Sequence, residues 1–333
     1  MKINLVYLSP WPVGGFASFT GHFARALKDR GWEFEVLRCN RDKAERSVRH
    51  SAADFDYRNA TVAEVCQLAR REPTLVTAVA RPEDFAVPDT MRRLIRAGAY
   101  VFVQSTQEFR QFPHVDLLKK DSSRTLVIRE SLLRHFPKAR YVPHPYVRVG
   151  PMPEVRRTGR ACSLAMVAKN KKPDVLLEGS MRVSKKDRIR LLGRLTTHFL
   201  GMDLEKKYPK VYERPKGYKT SAEAVALAAK YELAVDLSAY DGDGGGTQYC
   251  FLEAADAGAV NVLHRDWTKV RGDMKQNENC VVVGDVEELV NVLKTRELHP
   301  GEPFFERLGV GGAALLDAHG PKKFCARLAK VLR

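Results

Sequence analysis

Short apolar runs alternate with amphipathic stretches along most of the chain. Residues 2–9 form an apolar run that stops at Pro10-Trp11-Pro12-Val13-Gly14-Gly15. Phe16, Phe19, Phe23, Ala26 and Leu27 then recur at helical spacing, and residues 33–38 alternate like a strand. A strand, a glycine-containing loop, a helix and a second strand make a βαβ unit. Further strands are predicted at 75–80, 100–103, 126–128 and 140–143. Helices are predicted at 91–97 and through Leu132, Leu133 and Phe136.

Pro143, Pro145, Gly150, Pro151 and Pro153 then cluster, which marks a linker. After it, 163–168 opens a second series. Helices at 222–230 and 249–257 alternate with strands at 233–237, 260–263 and 281–283. Gly258 stands where a left-handed helix cap belongs. Helices at 286–293 and 322–332 close the chain. The pattern predicts an α/β protein of two Rossmann-like domains, 1–150 and 151–333, whose parallel sheets face a central cleft. Ligands of such sheets sit beyond the carboxyl ends of the strands. The loops after Ser9, Val103, Ala168 and Ala239 are therefore the expected lining.

Length agrees with two domains, since 333 residues is about twice a typical domain. With 44% apolar and 29% charged residues, the composition excludes wholesale disorder. No apolar run reaches the roughly 18 residues of a spanning helix, and the first residues do not read as a signal peptide. None of the six cysteines forms a CxxC pair, so no zinc or redox motif is indicated, and scattered cysteines fit a reducing cytoplasm.

Charge changes the picture more. The net charge is +16, and residues 151–219 hold eighteen Lys and Arg against seven Asp and Glu. Such a surface attracts a polyanion, either nucleic acid or an acidic membrane; its plainer reading is a solvated basic face. Arg182, Lys185, Lys186, Arg188, Lys207, Lys210, Arg214 and Lys216 are the candidate nucleic-acid contacts. Tyr208, Tyr212 and Tyr218 among them would suit base stacking.

Four places carry candidate chemistry. Gly14-Gly15, at a strand-to-helix turn, lets the backbone approach an anion at a helix N-terminus. Asp241-Gly242-Asp243-Gly244-Gly245-Gly246-Thr247 precedes the helix that carries Glu253, and its amides can cradle a diphosphate. Its D-G-D-G spacing lacks the other ligands of a calcium loop. Lys169-Asn170-Lys171-Lys172 can neutralise a leaving diphosphate. Glu108, after the strand ending at Val103, can serve as a general base. No zinc-hydrolase or nucleophile-elbow motif is present.

Residues 247–260, TQYCFLEAADAGAV, resemble the GxxxLEAxAxGxPV segment of GT-B nucleotide-sugar glycosyltransferases. The strand at 163–168 with Lys169 and Lys172, the run 221–239, Asp285-Val286-Glu287-Glu288-Leu289, Gly14-Gly15 and Arg129-Glu130-Ser131 through His144-Pro145 are similar to other parts of that family. The resemblance implies that Glu253 binds the nucleotide ribose, and that Lys169, Lys172 and the amides of Gly244, Gly245 and Gly246 hold the diphosphate of a donor such as a UDP-sugar, with Asp243 and Thr247 among the donor-binding residues. Retaining members carry a second glutamate where this chain has Gly245. Among GT-B enzymes, Thr106-Gln107-Glu108-Phe109-Arg110 looks like the catalytic segment of inverting phage DNA glucosyltransferases, with Glu108 in place of aspartate.

The resemblance implies a monomeric glycosyltransferase needing no cofactor besides its nucleotide-sugar co-substrate and no metal. Its acceptor would be hydroxymethylated pyrimidine in double-stranded DNA, in a host cytoplasm if phage-encoded. Two other readings remain: a peripheral membrane glycosyltransferase acting on a lipid or polysaccharide, for which 183–199 has basic-apolar character, and a non-catalytic nucleic-acid-binding protein.

Overall fold

The computed structural model describes residues 2–8, 15–39, 55–78, 87–105, 114–150, 157–218, 220–238, 246–270 and 272–332. Two compact units divide the chain: residues 1–147 with 318–333, and residues 148–317.

The first unit is built on near-continuous apolar strands, the pattern of a sheet covered on both faces. Its strands are β1 (Lys2–Tyr7), β2 (Glu33–Cys39), β3 (Arg58–Ala60), β4 (Thr74–Ala78), β5 (Tyr100–Val103), β6 (Thr125–Val127) and β7 (Arg140–Tyr141). They lie in the order β3-β2-β1-β4-β5-β6-β7, all pairs parallel. Helices α1 (Gly15–Asp29), α2 (Val62–Ala69), α3 (Val87–Ala97) and α4 (Val115–Lys120) connect them. α1 buries Phe19, Phe23, Ala26 and Leu27 as the spacing predicts. It stops at Gly31, whose φ of +67° lets Trp32 N–H turn back to Leu27 O at 3.0 Å. The helix predicted through Leu132 and Phe136 is a 3-10 turn, Glu130–His135, closed by the i→i+3 bond from Phe136 N to Leu133 O at 3.2 Å.

The second unit carries β8 (Gly159–Ser163), β9 (Ile189–Leu191), β10 (Tyr231–Asp236), β11 (Val260–His264) and β12 (Cys280–Val283). Their order is β12-β11-β10-β8-β9, again all parallel. Its helices are α5 (Pro173–Met181), α6 (His198–Lys207), α7 (Ser221–Ala228), α8 (Tyr249–Asp256), α9 (Val286–Lys294) and α10 (Pro303–His319), whose last residues cross into the first unit. Gly258 takes the expected left-handed conformation, φ +71°, and Ala259 N–H closes the end of α8 on Ala254 O at 2.9 Å.

The closing helix α11 (Pro321–Leu332) belongs to the first unit, whereas the sequence division assigns it to the second half. The reason is aromatic packing. Phe324 meets Phe23 edge-to-face at 4.7 Å, and Phe23 and Phe19 both meet Phe102, at 5.7 and 5.0 Å. Arg140 also donates to Val331 O at 2.6 Å. Such pairs contribute about 0.5–1.5 kcal/mol each beyond buried area. Periodicity shows that a helix has an apolar face, and says nothing of which sheet that face meets.

Candidate functional site

In a sheet of order β12-β11-β10-β8-β9 the connections reverse direction between β8 and β10. A crevice therefore opens beyond the carboxyl ends of these two strands. β8 ends at Ser163, not at the expected Ala168. Residues 164–168 leave the sheet, and Val167 makes an isolated parallel bridge with Leu195 beyond the end of β9. Gly193 fixes that exit, because a Cβ there would stand 1.9 Å from Ala165 O. The chain next makes a 3-10 turn, Lys169–Lys171, and enters α5 through Lys172, held left-handed at φ +51°. A non-glycine residue in that conformation stores about 1–3 kcal/mol of strain, and such residues cluster at ligand-binding turns.

This turn carries Lys171 into the crevice. Its ammonium donates to Ser238 Oγ at 3.1 Å and Gln248 Oε1 at 3.0 Å, and lies 3.8 Å from Asp236 Oδ2. Asp236, the last residue of β10, is buried; its Oδ1 accepts from Ser238 N–H at 2.8 Å and its Oδ2 from the Cys250 thiol at 3.3 Å. Trp267 donates from its indole to Ser238 O at 2.7 Å and packs edge-on against Phe251, which fixes the far wall. Burial, and then Asp236, push the Cys250 thiol well above its usual range, so it stays protonated and unreactive.

Glu253 lies in the second turn of α8 and is 3% exposed. Its Oε1 accepts from Ser221 Oγ, at the start of α7, at 2.7 Å. Tyr218 donates to Leu164 O at 2.8 Å, and burial plus the Glu253 charge push its phenol up. At the carboxyl end of β11, Asp266 sits 3.2 Å from His264 Nδ1 and also pairs with Lys269. The bond from Lys269 holds the Asp266 carboxyl below its usual range; burial and the nearby Lys172 lower His264.

Of the donor-site residues expected from sequence, Glu253, Gly246 and Thr247 are buried around α8, Lys169 is exposed and Lys172 half-buried on the turn. Gly15 opens α1 in the first unit, where a Cβ would meet nothing within 4 Å. Gly14, Glu108, Asp243, Gly244 and Gly245 lie outside the described residues. Sequence reasoning did not single out Lys171, Asp236, Ser238 or Gln248. The signal was present as the middle of KNKK and the ends of the strand and loop around 236–248, but only the crevice shows which lysine points inward. No group of three or more His, Cys, Asp or Glu suited to a metal occurs among the described residues.

The basic segment needs correction. Tyr208 and Tyr212 are 3% and 8% exposed and belong to the second unit's core, and Tyr218 is engaged with Leu164, so none is a stacking platform. Segment 183–199 is not one amphipathic helix; it holds a 3-10 turn at Lys185–Asp187, β9 and a loop. Several cations serve the fold. Arg160 donates to the carbonyls of Val292, Leu293, Thr295 and Leu298 and to Glu232, capping the end of α9. Arg182 pairs with Glu178 and Glu287, Arg188 donates to Lys210 O, and Lys207 donates to Asp174. Lys185, Lys186, Lys210, Arg214 and Lys216 are exposed. Among the described residues no helix is long and apolar enough to cross a membrane.

No family model matches the chain, and no curated protein sequence matches it. Solved structures match over its full length. An alpha-glucosyltransferase in complex with UDP and a 13-mer DNA containing a central A:G mismatch is 13% identical, with 100% of this chain and 99% of that one covered and a TM-score of 0.74. Anabaena Alr3699/HepE in complex with UDP is 14% identical, with 100% and 99% covered and a TM-score of 0.72. A point mutant of S. aureus TarM, in complex with fondaparinux, alpha-GlcNAc-glycerol and UDP, is 9% identical, with both chains fully covered and a TM-score of 0.72. The chain thus has the α/β GT-B fold of two Rossmann-like units, the architecture of these UDP-bound proteins.

Proposed function

We propose that this protein is a glycosyltransferase that moves a sugar from a UDP-sugar to the hydroxymethyl group of a modified pyrimidine in DNA. The observation that carries the donor half is Lys171, braced in the crevice at the switch point of the second sheet and bonded to Gln248, the N-cap of the helix α8 that carries Glu253. A nucleotide diphosphate bound there meets the ammonium of Lys171, with Lys169 and Lys172 beside it. The amides of Gly244, Gly245 and Gly246 complete the cradle, with Asp243 and Thr247 as further donor-binding residues. The Glu253 carboxylate accepts from the ribose hydroxyls in charge-assisted bonds. In the first unit, Gly14 and Gly15 let the chain pass close to a ligand at the N-terminus of α1.

In the transfer, the bond from the sugar C1 to the diphosphate oxygen breaks, and the acceptor oxygen bonds to C1. Lysine charge stabilises the leaving diphosphate as its negative charge develops. The acceptor proton goes to Glu108 if the sugar inverts, or to the departing diphosphate if configuration is retained. The anomeric proton coupling of the product separates these routes.

The acceptor half is supported by the exposed cations of residues 185–216 and by a fold shared with alpha-glucosyltransferases solved with DNA. A base inside a duplex must leave the stack to be glycosylated. The test is release of UDP from UDP-glucose, with and without duplex DNA containing 5-hydroxymethylcytosine or 5-hydroxymethyluracil. DNA-stimulated release supports the whole reading. Slow release indifferent to DNA keeps the transferase and removes the DNA acceptor; no release with any nucleotide sugar removes both. Duplex affinity should also fall with salt: five phosphate contacts from Lys185, Lys186, Lys210, Arg214 and Lys216 give a log–log slope of about −4.5.

A further inference from the structure

α6 turns its apolar residues both ways. Leu200, Gly201 and Leu204 are buried beneath it. On the other face Phe199 is 78% exposed, the most exposed apolar side chain among those described, and Met202 is 53% exposed. The i, i+3 spacing sets them side by side, and Lys206 continues the row.

The helix lies along the turn that carries Lys171. At one end Thr196 donates from its amide and its hydroxyl to Val167 O, at 3.1 and 2.9 Å. At the other, Lys207 Nζ and Tyr208 OH reach Asp174 Oδ1 at 2.9 and 3.3 Å. α6 therefore starts at the carboxyl edge of the sheet, and the exposed pair lies in its first two turns. A cation stands at each end. Arg214 donates to His198 Nδ1 at 3.2 Å beside Phe199, and Lys206 follows ~10 Å along the axis, about three base-pair rises of a duplex.

Apolar side chains framed by cations fit a polyanion whose interior is apolar. A bilayer would need a helix with a continuous apolar face, and α6 turns its apolar face inward. Opening a base stack needs only one or two apolar side chains between phosphate-binding cations.

We propose that Phe199 and Met202 form a wedge that enters the stack of duplex DNA, with Arg214 and Lys206 on the flanking phosphates, and so holds open the step from which the target base leaves. This rests on the DNA-acceptor reading above.

The experiment uses the full chain, UDP-glucose, and one hydroxymethylated oligonucleotide as a single strand and as a duplex with 2-aminopurine next to the target. Phe199→Ala and Phe199→Ala/Met202→Ala should lower transfer into the duplex at least about tenfold relative to the single strand, and abolish the 2-aminopurine brightening. Phe199→Trp should restore both. Both side chains are exposed, so the variants fold. An unchanged duplex-to-single-strand ratio overturns the wedge while leaving the DNA acceptor intact. Wild-type protein that modifies neither form removes the acceptor reading itself. Sedimentation with anionic phosphatidylserine vesicles that is lost in the double variant, without any DNA effect, assigns the face to a membrane and overturns the proposal.

Discussion

Replacing Lys171 by methionine keeps the length and apolar stem of the side chain and removes its charge. The Lys171 side chain is 11% exposed and that of its neighbour Asp236 6% exposed, so the pair is largely shielded from solvent. At 3.8 Å and an effective dielectric of 20 the attraction is about 4 kcal/mol before desolvation is subtracted. Breaking one partner of a buried pair typically costs about 3–5 kcal/mol, because the other charge is left uncompensated. Ser238 Oγ and Gln248 Oε1 also lose their donor. We expect Lys171→Met to lower the stability of the second unit by about 3 kcal/mol. Asp236→Asn should relieve part of that loss, giving a coupling of about 1–3 kcal/mol in the double-mutant cycle.

The assay is urea unfolding followed by Trp267 fluorescence, with Trp11 and Trp32 replaced by Phe; Trp267 reports the site because its indole bonds Ser238 O. Binding of UDP by calorimetry separates the two roles of the lysine. A purely structural Lys171 predicts that the double variant recovers stability and UDP affinity together. A diphosphate-binding Lys171 predicts recovered stability with affinity still reduced tenfold or more. Single-variant losses below about 0.5 kcal/mol, adding without coupling, would refute the buried-pair argument.

Three further outcomes are expected. Acid should destabilise the first unit: burial lowers His22 and His144 well below their usual range and pushes His114 down to about 4. Unfolded imidazoles take up protons near pH 6.5 and the folded ones do not, so stability falls as pH drops below 6.5, and the His114 share, about 3 kcal/mol, is spent by about pH 4; a flat urea midpoint from pH 7.5 to 5 would contradict this. Glu253→Gln keeps an acceptor for Ser221 but loses the charge, so UDP affinity should fall about tenfold with melting temperature little changed, whereas Glu253→Ala should also cost about 1 kcal/mol by removing the bond from the Ser221 hydroxyl. Gly193→Ala drives a methyl into the Ala165 carbonyl and displaces the segment leading to Lys171, so it should destabilise by at least 1–3 kcal/mol and weaken UDP binding together; wild-type values of both would exclude that coupling.

Much of the fold was legible along the chain. Strand periods, the glycine cap at Gly258, and alternation of strand with helix are local consequences of side-chain spacing and backbone sterics, so β1, α1, β10, α8 and β11 lie close to where the pattern predicts them. Glu253 drew notice because its helix follows a glycine-rich loop and its surroundings resemble a GT-B segment. What each element packs against was not legible, since that depends on contacts between residues distant in sequence. Phe324 could be read as core, but not as the partner of Phe23. The basic stretch could be counted, but only packing divides it into Arg160, which caps α9, Arg182 and Lys207, exposed and paired with carboxylates, and the exposed Lys185, Lys186 and Lys210. The tyrosines there look like stacking groups in sequence and are core residues in space. Four basic or amide side chains in a row, Lys169-Asn170-Lys171-Lys172, are equivalent in composition. The left-handed turn at Lys172 and the reversal of strand order between β8 and β10 decide that Lys171 is the one turned into the crevice, because which way a side chain points at a turn is set by backbone dihedrals and the sheet beneath, and neither is encoded in residue type alone.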